Sequence, residues 1–138
     1  MAERVVVYQD QQFRTEFKAS EDEDTAEGEL ERVGHIHQLT PHGMVLASLA
    51  SCTAIVLNSF ANHHEIPLIA VTVDCRYDQE TKDDCKDCEE GEHEQKVIRE
   101  TLSFEGDLDD DHLKRLQQVA KACSVRRMLE NGIRIISE

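Results

Sequence analysis

From Met44 to Phe60 the sequence carries no charged residue, and its apolar side chains do not keep to one stripe. Met44, Val45, Leu46, Leu49, Ala50, Cys52, Ile55, Val56, Leu57 and Phe60 fall on nearly every face of a helix running to about His64. Thr40-Pro41 opens it, because Thr is a good N-cap and Pro fits the first helical position, where its missing N–H costs nothing. A helix that is apolar all round must be covered all round. One small sheet covers only one side, so a second layer or a second subunit has to cover the rest. The stretch is barely of spanning length and includes Ser48, Ser51, Thr53, Asn58 and Ser59, so a buried helix of a soluble fold is expected rather than a membrane span.

The other elements are short. At 138 residues the chain is read as one domain over residues 1–138. Val5–Tyr8 is a β-branched run and Phe13–Lys18 alternates, which predicts an antiparallel hairpin turning at Asp10–Gln12. Glu29–Leu39 reads as a third strand, with Leu30, Val33, Ile36 and Leu39 as its apolar set. Pro67 ends the helix region. Ile69–Tyr77 then places Ile69, Val71, Val73 and Cys75 on one face of a strand. Lys96–Phe104 sets Ile98, Glu100, Leu102 and Phe104 opposite Val97, Arg99, Thr101 and Ser103. An acidic, cysteine-bearing hairpin or loop, Asp78–Gln95, joins these two strands. Asp109–Asp111 starts a helix with acids at the positive end of its dipole, and Leu113, Leu116, Ala120 and Cys123 share one face. Val125–Glu130 continues helically, Asn131-Gly132 stops it, and Ile133–Ile136 reads as a closing strand. The order is α+β and not the alternating unit of a doubly wound sheet.

Charge narrows the class of partner. Asp plus Glu number 29 against 15 Lys plus Arg, a formal net charge of −14. Such a chain repels phosphate backbones and anionic lipid, which argues against nucleic-acid and membrane-surface binding. The acidic runs Glu21–Asp24, Asp83–Glu94 and Asp107–Asp111 read as solvated loops and helix starts. Met1–Tyr8 lacks the basic start and apolar stretch of a secretory leader. With five cysteines and no such leader, a reducing, cytoplasmic setting is expected, where thiols serve redox or metal chemistry.

Cys52 lies midway along the apolar helix, and a lone buried cysteine is most often a small hydrophobe. Cys123 on its own invites the same reading. Two inward-facing thiols on two helices can instead run thiolate, sulfenic acid and disulfide chemistry, provided that they meet.

Two motifs carry a resemblance. Thr40-Pro41-His42-Gly43-Met44-Val45-Leu46-Ala47-Ser48-Leu49-Ala50-Ser51-Cys52-Thr53-Ala54 resembles the central-helix signature of the OsmC/Ohr family. Ala120-Lys121-Ala122-Cys123-Ser124-Val125, with Met128-Leu129 and Gly132-Ile133 after it, is similar to that family's second cysteine motif. The likeness is closest to the shorter, OsmC-like branch. It implies an OsmC-like α+β fold, an intertwined homodimer whose long central helices are wrapped by antiparallel or mixed sheets. It also implies a peroxidase that reduces organic hydroperoxides, with Cys52 as the peroxidatic thiol and Cys123 as the resolving one. No bound cofactor is implied; an external dithiol reductant, lipoyl-type in the best-studied branch, recycles the pair.

The departures from the family pattern bear on the thiolate. Enzymes of the family place a Glu directly after the helix-opening proline, where it holds an arginine against the reactive sulfur. Here His42 and Gly43 stand there. His42 is therefore a candidate to replace the carboxylate as acid, base or cation, and an ordinary helix-start histidine is the competing reading. Arg14 and Arg32 are the candidate activating arginines; a cationic neighbour matters because only the thiolate attacks peroxide. Arg126 and Arg127 read as solvated or dimer-contact charges.

The remaining ligand-type residues leave other readings open. Cys85-Lys86-Asp87-Cys88 with His93, and Cys75 before it, is a possible metal site, a labile disulfide or a set of incidental loop thiols; a closed zinc site needs four ligands. His35 and His37 share a strand face, with no third ligand unless His42 approaches. His63-His64 complements the helix C-terminus. Two alternatives thus stand beside the peroxidase: a non-peroxidase relative that binds a small ligand or exchanges thiols, and a metal-binding module built on the Cys85/Cys88 loop.

Overall fold

The β-branched run near the start of the chain forms β1 (Arg4–Asp10), which turns into β2 (Thr15–Ser20) just where the hairpin was expected. Here the chain is seen in a computed structural model that describes residues 4–22, 24–81 and 94–138. A two-residue β3 (Glu31–Arg32) follows, then α1 (Pro41–His63), β4 (Leu68–Thr81), β5 (Glu94–Gly106), α2 (Asp110–Ala120) and α3 (Ser124–Asn131). The strands form one sheet in the order β3-β2-β1-β4-β5, antiparallel throughout. Helix α1 lies on β1 and β4, and α2 and α3 pack against α1.

Alternation decides which side chains meet α1. Val5, Val7 and Gln9 of β1 stand opposite Cys75, Val73 and Val71 of β4, and all six are buried. From α1, Leu46, Ala50, Thr53, Ala54, Leu57 and Ala61 come down on them at spacings of three and four. Leu46 and Leu57 are fully buried, each contributing about 2–3 kcal/mol of apolar burial. Thr40 caps the helix as expected, accepting the Gly43 N–H at 3.1 Å, with Pro41 at the first position. The opposite stripe of α1 is open: Val45, Ser48, Ile55 and Ser59 are exposed. By length and composition α1 could cross a membrane, yet half of its most apolar stretch is buried inside this fold.

Three local expectations are corrected. Glu29–Leu39 is not one strand. It is a 3-10 turn (Glu27–Glu29), the short β3, and a second 3-10 turn (Ile36–Gln38) that Gln38 closes by accepting the Gly34 and His35 N–H groups. Ile69 does not join Val71 and Val73 in the core, because a bulge between Leu68 and Ala70 shifts the register and turns Ile69 outward. Gly106 pairs with Leu68 at that point with φ at 148°, and a Cβ there would collide with the Pro67 carbonyl. Ile133–Ile136 has strand-like composition but pairs with no strand among the described residues. A strand exists only where a neighbour takes its backbone hydrogen bonds, and past Gly132 (φ 80°) the segment runs exposed.

Candidate active site

Two thiols meet where α1 passes the junction of α2 and α3. Cys52 sits half-buried between the covered face and the open stripe of α1. Cys123 reaches it differently from the way its spacing suggests. The inward face of α2, with Leu116 and Ala120 buried, ends in a tight turn in which Lys121 and Ala122 donate to the carbonyls of Gln118 and Val119. Cys123 is thus not on α2 at all; it is the buried N-cap of α3.

That position shapes the chemistry, because the first N–H groups of a helix have no partner within it. Burial works against a Cys52 thiolate. Hydrogen bonds from the Cys123 thiol, the Val125 N–H, and the hydroxyl and N–H of Ser124 outweigh it and hold the pKa below that of an ordinary cysteine. The Ser124 hydroxyl lies 3.8 Å from the Cys52 sulfur. For Cys123 the balance is reversed. Burial and its own hydrogen bond to Cys52 push the pKa up, against the Arg126 N–H and the Thr53 hydroxyl. The two sulfurs are therefore pushed apart, the thiolate favoured at Cys52 and the proton at Cys123.

A carboxylate stands behind this pair. Glu100 on β5 is 12% exposed and aligns with Cys75 across the strands. Its Oε2 accepts from the Thr53 hydroxyl at 3.1 Å and from the Cys75 thiol at 3.9 Å. Its Oε1 lies 3.8 Å from Nη1 of Arg126, whose Nε also holds Glu130 at 2.6 Å. Burial raises the Glu100 pKa, restrained by the Thr53 hydrogen bond, the Arg126 charge and the Cys75 thiol. Burial, with Glu100 and Asp74 beside it, pushes Cys75 far above the usual thiol range. Arg126, read from sequence as a solvated or dimer-contact charge, is half-buried and faces Glu100 within this chain.

The other sequence candidates lie elsewhere in the chain. His42 is exposed at the start of α1, edge-on to Tyr77 with ring centroids 6.1 Å apart, and its carbonyl accepts the Tyr77 hydroxyl at 2.9 Å. Cys52 is nearly three turns further on, about 15 Å along the axis. Arg14 is paired with Asp10 at 2.7 Å in the β1–β2 hairpin, whose turn is held by Asn62 near the far end of α1. Arg32 is exposed and paired with Glu16 at 3.0 Å. Within this chain none of His42, Arg14 and Arg32 is brought to the thiols. His35 caps the second 3-10 turn and His37 lies within it, neither on a strand, their rings stacked 5.2 Å apart. Cys85, Cys88 and His93 lie outside the described residues. Among the described residues no group of three or more metal-ligating side chains converges.

A solvent-open cleft of about 670 Å³ lies beside the site, with Leu49, Ile98, Leu102 and Leu129 among its walls. Glu100 and Arg126 also line it, whereas neither sulfur does. Sequence reasoning passed over Glu100, Thr53 and Ser124. For Glu100 a signal was present: it shares a strand face with Ile98, Leu102 and Phe104, and a lone carboxylate in an apolar row must find partners when buried. Thr53 and Ser124 carry no such mark.

Comparison with known proteins points to an OsmC-like fold. A family model described as OsmC-like protein matches residues 34–138. The crystal structure of an OsmC-like hydroperoxide resistance protein from Jannaschia sp. CCS1 superposes with TM-score 0.60 at 14% identity, covering 96% of this chain and 89% of that one. A second solved chain, described only as structural genomics, superposes with TM-score 0.46 at 19% identity, over 96% of this chain and 86% of its own. No curated protein matches the sequence.

Proposed function

The chain belongs to the OsmC-like family, and within it we propose that this protein is a thiol-dependent peroxidase reducing organic hydroperoxides. The Cys52 thiolate attacks the terminal peroxide oxygen. The O–O bond breaks, the alkoxide leaves and takes a proton from solvent to become the alcohol, and Cys52 becomes a sulfenic acid. Cys123 then attacks that sulfur, giving a disulfide and water. An external dithiol reduces the disulfide and restores both thiols.

The observation that carries this reading is the contact of Cys52 with Cys123 at the start of α3, where four donors favour the thiolate on the accessible sulfur only. The reading does not require the family's Glu, in whose place His42 stands, or the arginine that this Glu holds. The open stripe of α1, with Val45 and Ile55 exposed, supports a homodimer in which the partner covers it. The unpaired cysteines fit a reducing, cytoplasmic compartment.

The test is intact mass and peptide mapping of the reduced protein after one equivalent of cumene hydroperoxide. A rapid Cys52–Cys123 disulfide, lost in Cys52→Ser, is expected. If both thiols stay reduced while the hydroperoxide survives, the peroxidase reading fails. Thiol exchange by the same pair then takes its place, a reading that the absent helix-start carboxylate favours.

A further inference from the structure

The Ser124 hydroxyl stands 3.8 Å from the Cys52 sulfur, a contact that lasts only while the first turn of α3 stays against α1. Little in α3 itself secures that. It is eight residues long, none of them buried, and Met128 and Leu129 are exposed. A helix of that length is marginal in water without a partner. Its apolar hold on the molecule is Val125, half-buried against the core, and the buried N-cap Cys123. Charge adds a second hold. Arg126, in the first turn of α3, directs Nη1 at Glu100 Oε1 from 3.8 Å, and Glu130 one turn on fixes its Nε at 2.6 Å.

Glu100 grips α1 as well. Its Oε2 accepts the Thr53 hydroxyl at 3.1 Å, and Thr53 is the residue after Cys52. We propose that Glu100 is a positioning residue: by holding Thr53 of α1 and Arg126 of α3 together, it keeps Ser124 and Cys123 against Cys52. The inference rests on the thiol-pair reading above and assigns what holds that pair in place. Glu100 acts through its two partners and takes no part in bond making. Closing the disulfide brings the sulfurs to about 2.05 Å, so the start of α3 approaches α1 and withdraws in each cycle. An ion pair at 3.8 Å suits such travel, because Coulomb attraction falls off slowly with distance whereas a hydrogen bond weakens steeply as it bends or stretches.

Charge by itself predicts the opposite effect on Cys52. The groups that face Glu100 are the Thr53 hydroxyl from α1, the Cys75 thiol from β4 and Arg126 from α3, with Glu130 behind Arg126. Lys96 and Lys121 stand on the walls of the same cleft. Neutralising the carboxylate removes a negative neighbour, which favours a thiolate. Loosening α3 does the reverse, since Ser124 and Val125 donate to Cys52 from its first turn. The sign of the change in Cys52 acidity therefore tells positioning from electrostatics.

The experiment reads two quantities in a Cys85→Ser/Cys88→Ser background, at temperatures where every variant is folded. Iodoacetamide labelling gives the pH midpoint of Cys52. Excess 5,5′-dithiobis(2-nitrobenzoate) loads Cys52 as a mixed disulfide, and the second thionitrobenzoate, displaced by Cys123, gives the closure rate. Glu100→Gln, which keeps the shape and removes the charge, is expected to raise the midpoint by about half a unit or more and to slow closure by about tenfold or more. Glu100→Asp, which keeps the charge and shortens the reach, is expected to move both in the same direction. Arg126→Met is expected to slow closure, and Glu100→Gln/Arg126→Met to be no slower than the slower single variant, because both break one contact. An unchanged or lowered midpoint in Glu100→Gln overturns the positioning role, as do wild-type closure rates or a double variant slowed by the product of the two. Should Glu100→Gln fail to fold, Glu100→Asp decides in its stead: a raised midpoint supports the role and an unchanged one overturns it. A wild type that closes no disulfide fails the thiol-pair reading itself. Failure of cumene hydroperoxide to oxidise Cys52 sinks the peroxidase reading without touching this result.

Discussion

Thr53 donates a 3.1 Å hydrogen bond to Glu100 across the gap between α1 and β5, at a point where the surrounding core is apolar. The cost of a carboxylate there is visible in its stability. A carboxyl whose folded pKa lies above its unfolded value costs nothing below the unfolded pKa. The cost grows as the pH rises between the two and is full above the folded pKa. Glu100 is such a group. Glu100→Gln is therefore expected to melt a few degrees above wild type at neutral pH, with the difference closing at pH values that protonate an exposed carboxylate. Melting curves that stay superimposed across that range would contradict the assignment of a buried, charge-disfavoured Glu100.

The thiol pair should titrate apart. Because Cys52 is held below the usual cysteine range and Cys123 above it, iodoacetamide should label Cys52 with a lower pH midpoint than a free cysteine. Cys123 should label only at higher pH. Ser124→Ala removes one of the donors to Cys52 and should move its midpoint upward while leaving the fold intact. Mass mapping of the labelled peptides reads both, and equal midpoints would remove the basis for assigning Cys52 as nucleophile.

Single-thiol variants should stop the proposed cycle at different points. Cys52→Ser is expected to abolish hydroperoxide consumption. Cys123→Ser is expected to consume one equivalent and then stall, leaving a sulfenic acid at Cys52 that dimedone traps. Continued multiple turnover in Cys123→Ser would remove Cys123 from the resolving role.

The two faces of α1 make opposite predictions. Leu57 is fully buried against the sheet, so Leu57→Ala should cost about 2–5 kcal/mol by denaturant unfolding. Ile55, at 48% exposure on the open stripe, should tolerate truncation in the isolated chain. If a second copy covers that stripe, sedimentation of wild type gives about twice 15.7 kDa and Ile55→Glu lowers it to the monomer. A well-folded wild-type monomer would refute the dimer.

What the sequence disclosed followed from patterns that are local in the chain. The capped apolar helix, the β1–β2 hairpin and the alternation of β4 and β5 each follow from residue type at a fixed period. The element order that they define is the one observed. Where tertiary partners decide, local pattern misled. The apolar set at Leu30, Val33, Ile36 and Leu39 suited a strand, but Gln38 folded the segment into a turn. Ile69 alternated correctly until a bulge displaced it. Cys123 fell on the right face for the wrong reason, since α2 ends before it. The site itself was half legible. The sulfurs were marked by their chemistry, whereas Glu100 became part of the site only through a cross-strand register and a contact from α1 that no spacing encodes.

The separation of the two sulfurs along the chain has a consequence for the oxidised protein. Between Cys52 and Cys123 lie the second half of α1, both long strands and α2, so closing that bond ties about half of the polypeptide into a ring. A loop of this size removes enough freedom from the denatured chain to favour the folded state by roughly 4 kcal/mol. A cell that oxidises this pair thereby also makes the molecule harder to unravel, and reduction loosens the whole chain along with regenerating the nucleophile.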